Sequence, residues 1–146
     1  MIERVAASNL SEFENFVTAN PKGHFMQSSL WAKVKPNWKW EALLCRGNDG
    51  SVKGAVAVLI RKLPGLPFSL MYGGRAPVCD PHDKETLAEL FDGLKKIAKE
   101  HKCYVIKLDP DIVSSDTEFS DIMKSLGFKN KSAGKNFEGI QPRYVF

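Results

Sequence analysis

The sequence predicts an α/β fold, a mixed sheet flanked by helices in a single domain. Three observations carry that expectation. Residues 68–108 read as strand, long helix, strand, the pattern of a right-handed parallel crossover. Residues 38–63 read as two strands joined through Asn48-Asp49-Gly50, an antiparallel hairpin signal. The chain has 146 residues, 43% of them hydrophobic and 26% charged, which is enough for one core and too apolar for a disordered chain.

From the N-terminus, residues 9–19 are expected as a short amphipathic helix. Asn9 is its cap, Glu12 reaches back to the cap, and Leu10, Phe13, Phe16 and Val17 share one apolar face. Asn20-Pro21-Lys22-Gly23 stops it, and a second short helix over residues 29–35 ends before Pro36. Residues 38–46 are strand-like, and residues 52–63 form a long apolar strand broken by Pro64-Gly65-Leu66-Pro67. Residues 68–72 make another strand, leading into the loop Gly73-Gly74-Arg75-Ala76-Pro77. The strongest helix signal covers residues 83–101, where Leu87, Leu90, Phe91, Leu94, Ile97 and Ala98 recur at helical spacing. Residues 103–108 are short and β-branched, the mark of a buried strand. Ser115-Asp116-Thr117-Glu118 is a capping box opening a helix to Leu126, with Gly127 as its stop. A polar loop over residues 129–139 and a closing strand over residues 140–146 complete the pattern. The resulting order α, α, β, β, β, α, β, α, β is the layout of N-acetyltransferase-like (GNAT-like) folds.

Composition excludes several classes. The longest purely apolar stretch, residues 54–60, is far short of the roughly 20 residues a bilayer needs. Met1-Ile2-Glu3-Arg4-Val5 opens on an acid with no apolar region behind it, so no secretory signal is expected. Cys45, Cys79 and Cys103 are odd in number and widely spaced, which favours a reducing cytoplasm over a disulfide framework. The net charge of +4 is uneven: residues 22–75 hold nine Lys/Arg against two acids, and residues 109–123 hold five acids and no Lys/Arg. That reads either as a surface divided by sign or as an ordinary solvated exterior.

Enzyme motifs are mostly missing. There is no Gly-x-Ser-x-Gly elbow, Walker loop or Gly-x-Gly-x-x-Gly. His24, His82 and His101 are scattered without zinc spacing, so no metal is expected, and Cys103 in a buried strand is packing rather than a nucleophile. The Arg/Gln-x-x-Gly-x-Gly/Ala pattern that would hold a coenzyme A pyrophosphate is absent, so no cofactor is expected.

Three segments can hold a ligand. On a helix Trp31 and Lys35 share a face as i and i+4, and either meet a phosphate-bearing ligand or pack with the lysine snorkelling along the indole. In Tyr72-Gly73-Gly74-Arg75-Ala76-Pro77, paired glycines permit close approach and Arg75 offers a fork for phosphate or carboxylate; a tight turn with a solvated arginine fits equally well. Asp109, in Lys107-Leu108-Asp109-Pro110-Asp111, stands where a parallel strand runs out, at the usual ligand crevice of an open sheet, or simply punctuates a turn.

These segments carry a family resemblance. Pro21-Lys22-Gly23-His24-Phe25-Met26-Gln27-Ser28, then Trp31-Ala32-Lys33-Val34-Lys35 and Trp38, resemble the opening motif of the FemABX peptidyltransferases. So do Leu59-Ile60-Arg61-Lys62-Leu63-Pro64, Gly74-Arg75-Ala76-Pro77-Val78, Lys107-Leu108-Asp109-Pro110 and Ile140-Gln141-Pro142-Arg143-Tyr144, all in one order. The resemblance implies a bacterial enzyme that moves an amino acid from aminoacyl-tRNA onto the stem peptide of a peptidoglycan precursor. The precursor is UDP-MurNAc-pentapeptide or its lipid-linked form. The implied fold is a pair of GNAT-like domains, of which residues 1–146 match the first, a half expected to bind precursor and to be inactive alone.

By that resemblance Lys35 contacts the precursor's diphosphate, with Trp31 and Trp38 beside it, while Tyr104 and Asp109 line the precursor cleft. Arg75 is added from its loop chemistry, and Asp109 is the one candidate for a catalytic role, as no general base stands out. Gly73-Gly74 and Ala76 depart from the family's Pro-Arg-Gly-Pro. The expected location is the cytoplasm, peripheral to the inner membrane face, and an unpaired strand edge favours self-association. Two other readings remain: a free-standing small-molecule N-acyltransferase, and a non-catalytic RNA- or partner-binding module.

Overall fold

The computed structural model describes residues 1–130, and the chain groups into two compact units, residues 1–113 and residues 114–146. In the first, β1 (Ile2–Arg4), α1 (Leu10–Ala19), a 3₁₀ turn (Phe25–Gln27), α2 (Ser29–Val34), β2 (Lys39–Arg46), β3 (Val52–Lys62), β4 (Ser69–Gly74), β5 (Val78–Cys79), α3 (Lys84–Glu100) and β6 (Cys103–Asp109) follow in order. The sheet runs β1-β2-β3-β4-β6, with β5 paired to β3 beyond β4. All pairs are antiparallel except β4 with β6, which are parallel and joined through α3. That is the mixed sheet with flanking helices expected from the sequence.

Helices cover both faces of the central strands, so β2 and β3 are buried along nearly their whole length rather than on alternate residues. On one face Phe13 and Val17 of α1 pack with Ala42, Leu44, Ala55, Ala57 and Val78. On the other, α3 buries Leu87, Leu90, Phe91, Leu94, Ile97 and Ala98. Its approach is close enough that a Cβ on Gly93 would lie 2.6 Å from Leu43 Cδ1, and one on Gly54 would lie 2.7 Å from Thr86 Cγ2. A side chain at either position would have to displace these neighbours. Ion pairs tie the edge in: Arg46 binds Glu3 of β1 and Glu12 of α1, and the buried Glu41 accepts from Arg4 and Lys39.

The second unit begins with α4 (Thr117–Ser125). Gly127 (φ +90) ends it, with Phe128 N–H donating to the Met123 carbonyl and Gly127 N–H to that of Lys124, a Schellman closure.

Several local expectations are corrected. Asn9 precedes α1 but does not cap it: its Oδ1 accepts from Ala6 N–H and its amide donates to Glu3, while Glu12 turns to Arg46. The cap of α4 is Asp116, whose carboxylate accepts from Phe119 N–H, one residue past the expected serine. β1 and β5, of three and two residues, are too short to leave a period in the sequence. β6 is half-exposed rather than buried, since it is the outer strand among the described residues. Cys103 is accordingly half-buried, and burial raises its thiol pKa. The strand expected over residues 140–146, with the motif Ile140-Gln141-Pro142-Arg143-Tyr144, lies outside the described residues. No described helix is long and apolar enough to cross a membrane.

Candidate functional site

The parallel strands β4 and β6 run out together, with Gly74 opposite Asp109. An open α/β sheet binds ligands beyond such carboxyl ends, because the following loops diverge there. The glycines at this end let neighbours pack close: a Cβ on Gly73 would lie 2.9 Å from Leu108 Cδ2, and one on Gly74 would lie 3.0 Å from Met26 Sδ. Arg75 follows at φ +53, in the left-handed region that few side chains adopt, and the Ala76–Pro77 bond is cis.

Gln27 fixes the loop from below. It is fully buried; its Oε1 accepts from Ala57 N–H at 2.8 Å, and its amide donates to the carbonyls of Gly74 (2.7 Å) and Ala57 (3.1 Å). The 3₁₀ turn that delivers Gln27 is capped by His24, whose Nδ1 accepts from Met26 N–H. Nδ1 therefore carries no proton in this arrangement, and the neutral ring presents Nε2–H. Burial holds the His24 pKa below the usual value, the Arg75 cation adds to this, and Asp111 and Asp109 partly oppose it. Burial also raises the Tyr72 phenol, with the Asp109 charge adding to the effect. Arg75 lies 3.4 Å from the Asp111 carboxylate, and Lys22 Nζ donates to the Asp111 carbonyl at 2.9 Å. Lys22, His24, Tyr72, Arg75, Asp109 and Asp111 thus share one electrostatic neighbourhood.

A line of aromatic rings leads away from it. His24 stacks on Phe25 at 4.4 Å, Phe25 meets the edge of Trp31 at 5.2 Å, and Lys35 Nζ sits 5.3 Å over the Trp31 ring. Trp31 is half-buried and Lys35 exposed, so the shared face expected on α2 exists, with the ammonium held by the indole and free toward solvent. Trp38 N–H donates to the Lys35 carbonyl, and its own ring carries the Arg61 guanidinium at 5.8 Å. Tyr104 stands apart: it lies at the start of β6, 61% exposed, while Asp109 ends the same strand. The structure therefore gathers Arg75 with Asp109, links Trp31 and Lys35 to them through Phe25 and His24, and leaves Tyr104 at the far end of β6.

Lys22, His24, Gln27, Tyr72 and Asp111 were not singled out from sequence as site residues. For Gln27 a signal exists, a polar residue in an otherwise apolar Phe25-Met26-Gln27 run. For His24 and Asp111 only the register of distant segments places them. Among the described residues no group of three His, Cys, Asp or Glu side chains is placed to hold a metal ion.

The family model described as the FemAB family matches residues 9–146, nearly the whole chain. The chain belongs to the FemAB family. It is 39% identical over 146 residues to a lipid II:glycine glycyltransferase of Staphylococcus aureus (strain MRSA252), covering 97% of this chain and 34% of that protein. A crystal structure of FemX superposes at a TM-score of 0.78 with 38% identity, over 87% of this chain and 32% of that one. This FemAB chain therefore spans about a third of the length of the relatives it matches. A probable acetyltransferase (TM-score 0.62, 10% identity, 100% of this chain and 99% of that one) and an aminoglycoside acetyltransferase from an uncultured soil sample (0.67, 16%, 90% and 92%) share the fold. These two likenesses show the fold alone, and the family rests on the FemAB match.

Proposed function

We propose that this chain is the acceptor-binding part of an aminoacyltransferase that moves an amino acid from aminoacyl-tRNA onto the stem peptide of a peptidoglycan precursor. The observation that carries the reading is the continuous wall from Lys35 over Trp31, Phe25 and His24 to Arg75 and Asp109. It places an exposed ammonium at one end of an aromatic surface and a mixed cationic and carboxylate group at the other. A ligand with a diphosphate at one end and a peptide amine at the other fits that polarity. Lys35 binds the diphosphate as a point charge, the rings cover the sugar, and Asp109 faces the acceptor amine. The lipid II:glycine glycyltransferase relatives support a precursor of this class.

In the transfer, the acceptor amine attacks the aminoacyl ester carbonyl. An amide bond forms, the ester bond to the tRNA ribose breaks, the amine loses a proton, and the ribose oxygen gains one. Asp109 is the group positioned to take the amine proton, while Arg75 orients the stem peptide; correct placement alone supplies much of the rate in such reactions. The chain works in the cytoplasm at the inner membrane face and binds precursor without completing transfer by itself.

Calorimetric titration with UDP-MurNAc-pentapeptide tests this. Wild type is expected to bind saturably, and Lys35→Ala to weaken binding at least about tenfold, the usual size of a lost charge-assisted contact. Saturable binding of acetyl-CoA by a folded sample that ignores the precursor would sink the reading.

A further inference from the structure

A second surface lies at the opposite end of the strands from the Gly74/Asp109 crevice. Between β3 and β4 the chain turns through Leu63-Pro64-Gly65-Leu66-Pro67-Phe68, six residues without a charge. The turn is closed by Leu63 N–H to the Phe68 carbonyl at 3.0 Å and Leu66 N–H to the Leu63 carbonyl at 3.3 Å. Two prolines fix φ and Gly65 takes φ +72, so the tip is held in shape before any partner arrives. Residues 64–68 are all exposed, with Leu66 at 52% and Phe68 at 48%. Two large apolar side chains at the apex of a preformed turn are not a core left unfilled; they are presented outward.

Cations surround this tip. Arg61 and Lys62 precede it on β3, Lys39 of β2 sits opposite Ile60, and the Lys102 carbonyl accepts from Ser69 N–H at the start of β4. Behind the tip a cleft of about 440 Å³ is lined by Lys39, Lys62 and Lys102 together with Pro67, Ser69 and Glu100. The carboxylates at this end are already engaged: Glu100 pairs with Arg4, and Glu41 pairs with Arg4 and Lys39. Among the described residues Lys62 and Lys102 have no carboxylate partner, so the cleft presents uncompensated positive charge beside an apolar point.

We infer that this hairpin tip docks the chain on an anionic lipid bilayer, Leu66 and Phe68 entering the headgroup and acyl boundary while Lys62 and Lys102 meet lipid phosphates. The pairing of the two features selects the partner. A soluble phosphate would use the lysines and leave the apolar apex unexplained. A neutral apolar partner would do the reverse. An anionic bilayer rewards both, since buried apolar area and attraction to acidic headgroups add at the interface. Leu66, Phe68, Lys62 and Lys102 are not among the acceptor-wall residues, so docking does not depend on which ligand that wall takes.

Cosedimentation with mixed phosphatidylglycerol–phosphatidylcholine vesicles, free of any precursor, tests the inference against pure phosphatidylcholine vesicles. The wild-type chain is expected to partition onto the mixed vesicles, weakly or not at all onto the neutral ones, and less at high salt. The double change Leu66→Ser and Phe68→Ser is expected to lower the partition coefficient at least about tenfold, and Lys62→Glu with Lys102→Glu to do the same. Lys95→Glu, on the exposed side of α3 and paired there only with Asp92, leaves it unchanged. All these side chains project into solvent, and far-UV circular dichroism verifies that each variant is folded. Equal partition of wild type and the Leu66/Phe68 variant, equal partition onto both vesicle types, or none at all would overturn the inference. Because precursor titration is done without vesicles, failure of one leaves the other standing.

Discussion

Gln27 is where one side chain decides the geometry of the acceptor crevice. Its amide closes three hydrogen bonds onto β3 and the end of β4, all out of contact with water. Buried backbone groups that lose a partner cost about 1–3 kcal/mol each, because water cannot replace it. Gln27→Leu keeps the volume and removes the bonds, so it is expected to destabilise the chain by about 3 kcal/mol in urea unfolding. Precursor affinity should fall in the same variant, as the Gly74 carbonyl that leads into Arg75 is no longer held. A Gln27→Leu protein with wild-type stability would show that the three bonds add nothing net. The residue also shows how far single positions can be read from sequence. Arg75 and Asp109 stand out by chemistry beside a glycine pair and at a strand end; His24 and Lys22 do not. Their role depends on a 3₁₀ turn packing onto strands more than 30 residues away, and local spacing holds no record of that.

Glu41 does for the elements what Gln27 does for the loop. From inside β2 it accepts from Arg4 on β1 and from Lys39 on its own strand, and His101, which caps α3, lies 3.3 Å from it. Burial opposes ionisation of its carboxyl, but the hydrogen bonds from Arg4 and Lys39 outweigh that and hold the pKa down at about 2 against an ordinary 4.5. A carboxyl whose folded pKa is depressed contributes stability above its ordinary pKa and loses it as pH falls toward the folded value. The junction of β1, β2 and α3 is therefore expected to weaken between about pH 4.5 and pH 2, by up to about 3 kcal/mol from this group. Urea midpoints followed across that range check it: Glu41→Gln should flatten the acid slope and lower stability at neutral pH. A slope unchanged in the variant would assign the acid sensitivity to other carboxylates. At this scale α3 was legible because its helical period runs for 17 residues, and β2, β3, β4 and β6 because turn residues bound their apolar runs. β1, β5 and the exposure of β6 were not, since a two- or three-residue strand has no period and the partners of an outer strand are set by the fold.

At the scale of the molecule, the question is what a chain with about a third of its relatives' length can do. The fold is shared with acetyltransferases that match this chain along nearly their whole length. The lipid II:glycine glycyltransferases extend well beyond it. Under the proposed function the ammonium, stacked rings, guanidinium and carboxylate of the wall bind an anionic precursor and face its amine. The donor in the proposed reaction is an ester on a long polyanion, whose recognition calls for many phosphate contacts, more than the cations named in the wall supply. The expected outcome is a separation of binding from turnover. Incubated with glycyl-tRNA and UDP-MurNAc-pentapeptide, the chain should bind the precursor calorimetrically and transfer no radiolabelled glycine above the uncatalysed level. Addition of the remaining two thirds of a full-length relative, supplied as a separate polypeptide, should restore transfer, and Lys35→Ala should reduce what is restored. Transfer by the chain alone would place both substrates on this one sheet, and the Asp109 end of β6, where the strands part, would then have to hold the aminoacyl ester as well as the amine that attacks it.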